Sequence, residues 1–303
     1  MREDWTTSAR DELRRLQVQA RAGATGWAYR RAAPPGVEPT ALAALALLAR
    51  SDAAPADPDV RAARAGAEWL ATLQQPDGAL GLSANQPAPG WTTPYGILLW
   101  KALAIHDQAC RRGADWLLHQ EGQAYPASSD PGRIVGHDTA LVGWPWVADT
   151  HSWLEPTLMA ILALRRMGLD EHPRVLEGMA LVRDRAIPTG GWNYGNKAAF
   201  GHNLRPQPGP TGLALLALAR QGRRSGAVER AIAYLDATLP AVRAPASLAW
   251  GLLGLRAWDH APNAAGRWLA EAFDRSNGRP DAAPRLAHLL LAAGDAALRL
   301  LID

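Results

Sequence analysis

Gly143-Trp144, then Glu155-Pro156-Thr157-Leu158 running into Ile161-Leu162, is the stretch on which the fold turns. It recurs as Gly26-Trp27 with Glu38-Pro39-Thr40-Ala41-Leu42, and as Gly191-Trp192 with Gly209-Pro210-Thr211-Gly212-Leu213. Trp91-Thr92-Thr93-Pro94-Tyr95 is a looser copy, and Ala244-Pro245 and Ala283-Pro284 open two degenerate ones. Each copy is a loop carrying Gly or Trp, a proline, and then an almost wholly apolar run. Proline suits a first helical turn, where its missing N–H has no partner to lose. An acid there complements the helix dipole, so Glu38 and Glu155 read as helix-start residues. A helix apolar on all sides must be buried on all sides.

Between these six helices lie six amphipathic ones, expected near 8–22, 59–74, 107–120, 172–186, 226–239 and 263–275. Charged residues occupy one side of each, and Trp69, Trp116, Tyr234 or Trp268 the other. Twelve helices alternating outer and inner predict an all-α (α/α)6 toroid, with an open superhelix as the rival. The ends look like ordinary repeats without a polar cap, which favours closure. No linker divides the chain, so residues 1–303 are expected to form one domain.

Composition sets the outer limits on function. Of the 32 basic residues only Lys101 and Lys197 are lysines, and the net charge is +3. Arginines interleave with acids and form no block that would track a phosphate backbone, which argues against nucleic acid as a partner. The single cysteine, Cys110, excludes an internal disulfide and a multi-cysteine zinc site. No stretch approaches the roughly 20 apolar residues of a membrane span. The polar start lacks a signal peptide's apolar core, so a cytoplasmic protein is expected, with peripheral membrane contact still open.

The outer helices carry a family resemblance. Arg64-Ala65-Gly66-Ala67-Glu68-Trp69-Leu70-Ala71-Thr72-Leu73-Gln74, with Gln75-Pro76-Asp77-Gly78 after it, resembles the QW repeat of squalene–hopene cyclases. Protein prenyltransferase β subunits share that repeat more loosely. Arg112–Leu117 with Gln120, and Arg230–Leu235, are further copies. The resemblance implies a terpenoid cyclase-like toroid that binds a hydrophobic or isoprenoid small molecule, with acid-catalysed cyclisation or isomerisation as the chemistry. The family's Asp-x-Asp-Asp motif is absent. Asp57-Pro58-Asp59 matches part of its spacing but opens an outer helix. Val135-Gly136-His137-Asp138-Thr139-Ala140 aligns with the motif and its sequel, retaining only Asp138 of the acids.

Inner helices of a toroid start at one rim, so their feeding loops converge on a mouth. Those loops are long at 24–38, 76–93, 121–155 and 188–209, and long structured loops are a common seat of function. In one reading Asp138 or Asp149 is a general acid held by His137 or His151. Trp91, Trp144, Trp146, Trp153, Trp192, Tyr194 and His202 then line an apolar cavity and stabilise cationic carbon. In a second, Asp149-x-His151 with His202 forms a zinc site, as the prenyltransferase resemblance implies for an Asp-x-Cys and a distant His; otherwise no cofactor is called for. In a third the toroid binds a ligand or protein partner without catalysis, or acts on glycans, whose enzymes also pair carboxylates with aromatic platforms.

Overall fold

A computed structural model describes residues 5–20, 23–50, 54–125, 136–219 and 224–303. The apolar runs are helices α2 (Val37–Leu48), α4 (Thr93–Leu103), α6 (Leu154–Arg166), α8 (Pro208–Leu218), α10 (Pro245–Arg256) and α12 (Ala282–Leu291). The amphipathic ones are α1 (Trp5–Arg15), α3 (Pro58–Leu73), α5 (Asp107–His119), α7 (Pro173–Asp184), α9 (Gly226–Thr238) and α11 (Ala265–Ser276). A short α13 (Ala296–Leu301) ends the chain. Each inner helix packs against the next, and α12 returns to pack on α2, which closes the ring. The outer wall closes too: α1 meets α11, where Trp5 and Phe273 lie 5.8 Å apart. The fold is the all-α toroid, not the open superhelix.

Local sequence sets each element. Asp57 caps α3 by accepting from the Asp59 N–H at 2.7 Å, with Pro58 in the first turn. Asp59 itself is fully buried and bound by Arg10 at 2.5 Å and by Arg14, so it clamps α1 onto α3. The first outer helix stops at Arg15, short of the expected 22. The chain turns instead into strand β1 (Val18–Gln19), paired antiparallel with β2 (Thr25–Gly26). A second small hairpin, β3 (Ala198–Ala199) with β4 (His202–Asn203), lies in the loop before α8.

Helices α8 and α10 touch backbone to backbone. A Cβ on Gly212 would overlap the Trp250 carbonyl, and one on Gly254 would overlap the backbone of Gly212. At the ring's other end α13 lies against α2, α4 and α6 and buries Leu301. Arg256 secures it, donating to the Ala292 carbonyl at 2.9 Å and pairing with Asp295 at 3.0 Å. Helix α13 thus lies against one end of the inner ring, and the long loops lead into the helix starts at the other.

Candidate functional site at the toroid mouth

The repeated Gly-Trp and Pro-Thr elements form one recurring staple. The backbone N–H groups of Trp27, Trp144 and Trp192 donate at 2.9 Å to Thr40, Thr157 and Thr211 on the next inner helix. Their indole N–H groups donate to the carbonyls of Leu13, Leu117 and Val182 at the ends of the preceding outer helices, at 2.7–2.8 Å. In the second repeat Leu80 replaces the tryptophan and its N–H still reaches Thr93 at 2.8 Å. Gln74 ties adjacent repeats together, donating to Ala109 at 2.8 Å while Arg112 donates to it at 2.5 Å.

This threonine register shows which residues share a place on the rim. Two positions before each threonine stand Glu38, Trp91, Glu155 and Gly209. Two acids therefore flank a tryptophan around the mouth. Tyr29 donates to Glu38, and the buried Tyr95 hydroxyl bonds it as well. Burial raises the Glu38 carboxyl above the usual carboxylate range, against the lowering pull of both hydroxyls. Burial first, and then the neighbouring Glu38 charge, push Glu155 up to about 7. The same burial and both glutamates push the Tyr95 phenol upward. A carboxyl that exchanges its proton near neutrality beside a second acid is suited to general acid–base work.

Trp91 joins this cluster to an aromatic cavity. Its ring meets Tyr95 edge-on at 6.1 Å and Trp146 edge-on at 4.7 Å. The cavity, about 340 Å³, is walled by Trp91, Trp116, Trp144 and Trp146 and by the first-turn prolines Pro94 and Pro156. Related hollows lie over the ends of other outer helices. The one over α3 is about 580 Å³ and mainly apolar, the one over α1 about 370 Å³ with Arg15, Arg30 and Arg31 on its wall, and the one over α7 about 220 Å³ and polar.

The residues singled out in the sequence separate into distinct places. Trp91 and Trp146 line the aromatic cavity. Trp144 contributes one edge but is a buried staple, with the Arg174 guanidinium stacked 4.4 Å from its ring. Trp192 is in the core, and Trp27, its counterpart in the first repeat, is there too. Trp153 is half-buried against His151, at 4.7 Å. Tyr194 and His202 are exposed in the loop before α8. Asp138 is exposed and its carboxylate caps a turn, accepting from the Ala140 N–H at 2.9 Å. Asp149 is exposed on a turn at φ +61°. His137 and His151 come together on the polar cavity over α7. Val135 lies outside the described residues.

Asp149, His151 and His202 do not gather as a ligand set. Among the described residues no three His, Cys, Asp or Glu side chains are placed to hold a metal ion. Glu38 and Glu155, read from sequence as helix-start residues, prove to be the electrostatically unusual pair. Their matching repeat positions were the available signal. No helix among the described residues is long and apolar enough to cross a membrane.

No protein-family model matches the sequence, and no curated protein matches it. Solved structures do resemble the fold. A protein from Actinoplanes superposes with a TM-score of 0.60 at 18% identity, over 98% of this chain and all of that one. The type II terpene cyclase MstE from Scytonema gives 0.56 at 15% identity, over 92% of this chain and 82% of its own. A variant of MstE in complex with geranylgeranyl dihydroxybenzoate gives 0.58 at 16%, over 95% and 96%. The architecture is terpenoid cyclase-like.

Proposed function

We propose that the protein binds a hydrophobic, isoprenoid-type small molecule at the toroid mouth and that Glu155 and Glu38 transfer protons to and from it. The observation that carries this reading is the pair of raised carboxyls beside Tyr95, joined through Trp91 to an aromatic cavity. The structural likeness to a cyclase solved with a geranylgeranyl compound supports the ligand class.

The strength of the acid narrows the chemistry. Protonating an isolated carbon–carbon double bond demands a far stronger acid than a carboxyl titrating near 7. Such a carboxyl hands its proton to oxygen, at an epoxide or carbonyl whose oxygen stays on the product. Glu155 then gives its proton to that oxygen as the C–O bond opens or polarises. The Trp91 ring faces the developing cation, and ionised Glu38 removes a proton from the adjacent carbon. The outcome is a cyclisation or isomerisation without net redox change, with Glu38 and Glu155 returning to their starting states by proton exchange with water.

Tryptophan fluorescence titrated with geranylgeraniol tests the binding claim. Saturable quenching is expected, and Trp146→Ala should weaken it at least tenfold. Incubation with a lipid extract tests the chemistry: turnover present in the wild type should fall at least a hundredfold in Glu155→Gln, with binding retained. Quenching by soluble oligosaccharides but not by geranylgeraniol would replace this reading with the glycan-active one. Binding without turnover would leave a ligand-binding toroid.

A further inference from the structure

The cavity over α7 has a chemistry unlike the others, and Arg185 is the reason. This residue directly follows α7, and its side chain is only 7% exposed. A buried guanidinium normally has its five donors matched by close acceptors. Here the contacts are long: 3.4 Å to the Gly195 carbonyl, 3.5 Å to the Asp138 carbonyl and 3.7 Å to the Asp184 carboxylate. Its Nε has no hydrogen-bond acceptor among the described residues.

Asp184 is the natural counter-ion, but it is committed elsewhere. Lys197 donates to it at 2.9 Å and the Asp138 N–H at 3.0 Å. Burial lowers Arg185 to about 10, which leaves it charged at neutral pH. The Asp138 and Asp184 charges both act on Arg185, yet among the described residues no carboxylate bonds it closely, and the guanidinium faces a cavity of about 220 Å³. The remaining wall includes His137, His151, Gln123, Tyr125 and Asn196, and no described carboxylate lines it.

The repeat register shows that this is a local departure from the common frame. Trp144 and Trp192 bond the carbonyls of Leu117 and Val182, so Gln120 and Arg185 occupy equivalent places. The cavity over α5 has neutral Gln120 there and is aromatic, whereas the one over α7 is cationic.

We propose that the cavity around Arg185 is a binding site for a small oxyanion, the carboxylate or phosphate group of a ligand. The anion bonds the guanidinium at its Nε, which has no acceptor among the described residues, with His151 and the Gln123 and Asn196 amides as further donors. The site is separate from the Glu38–Glu155 pair and does not depend on its role.

Calorimetric titration with inorganic phosphate, and separately with benzoate, at matched ionic strength tests the proposal. One saturable event per chain is expected with one or both anions. Phosphate alone identifies a phosphorylated ligand, and benzoate alone a carboxylate. Arg185→Gln should weaken binding at least tenfold. Because Arg185 is buried and that variant can misfold, Gln123→Glu is the companion. Gln123 is exposed, and a glutamate keeps the acceptor that the Tyr125 hydroxyl uses at 2.8 Å while placing a negative charge on the wall. It too should cost at least tenfold, with an unchanged circular-dichroism spectrum. Absence of saturable binding for both anions, or binding undiminished in Gln123→Glu, overturns the proposal.

Discussion

At the scale of single residues Glu155 stands out at the rim, because burial and the Glu38 charge push its carboxyl up to about 7. Folded, it holds its proton up to about pH 7; its ordinary value is 4.5. Between those values the native state binds more protons than the unfolded one, so stability falls as pH rises through that window. Glu155→Gln removes this penalty. Thermal unfolding should show the variant more stable than wild type at pH 8, by about 1–3 kcal/mol, and indistinguishable from it near pH 4. A difference that persists at pH 4 would point to altered packing. The sequence displayed Glu38 and Glu155 at one repeat position but not their burial, because burial depends on Tyr95 and on neighbouring loops. Asp138 and Asp149 drew attention through their histidine and tryptophan neighbours in sequence, yet both side chains are exposed. Local density of functional residue types does not measure desolvation.

At the scale of elements, pattern was a reliable guide wherever the physical cause was local. Apolarity on every face named the inner helices, and proline placed their starts. The end of α1 was missed because a pairing with Thr25–Gly26 overrides the amphipathic pattern beyond Arg15. The tryptophans show the same division. Trp27, Trp144 and Trp192 serve as staples through indole N–H bonds to outer-helix ends, while Trp91 and Trp146 face a cavity. All five sit in rim loops or helix starts, so position along the chain could not separate them. The contact between α8 and α10 supplies a test of inner-ring packing. Gly212→Val would drive two methyl groups into the Trp250 carbonyl, and should destabilise the protein by about 3 kcal/mol in urea unfolding. The same change at Gly266, where an added Cβ meets nothing within 4 Å, gives the control. Its cost there should stay within about 1 kcal/mol, as expected for a β-branched residue on an exposed helix face.

For the whole molecule, the curvature of the inner ring is what brings distant residues together. Glu38, Tyr95 and Glu155 start three successive inner helices, more than a hundred residues apart from first to last. They interact because the toroid turns every inner-helix start to the same mouth, while α13 lies against the other end. The repeat supplies a constant frame, and the loops vary what it holds: aromatic over α5, cationic over α7, arginine-rich over α1. That layout was legible in sequence as long loops in the first part of the chain; the particular content of each cavity was not. The central claim, a proton held near neutrality at the mouth, is open to direct measurement. Carbon-13 NMR of protein labelled at the glutamate side-chain carboxyl, titrated from pH 3 to 9, should show a resonance with its midpoint at about 7 that disappears in Glu155→Gln. Glutamates that all titrate in the ordinary range near 4.5 would contradict the account.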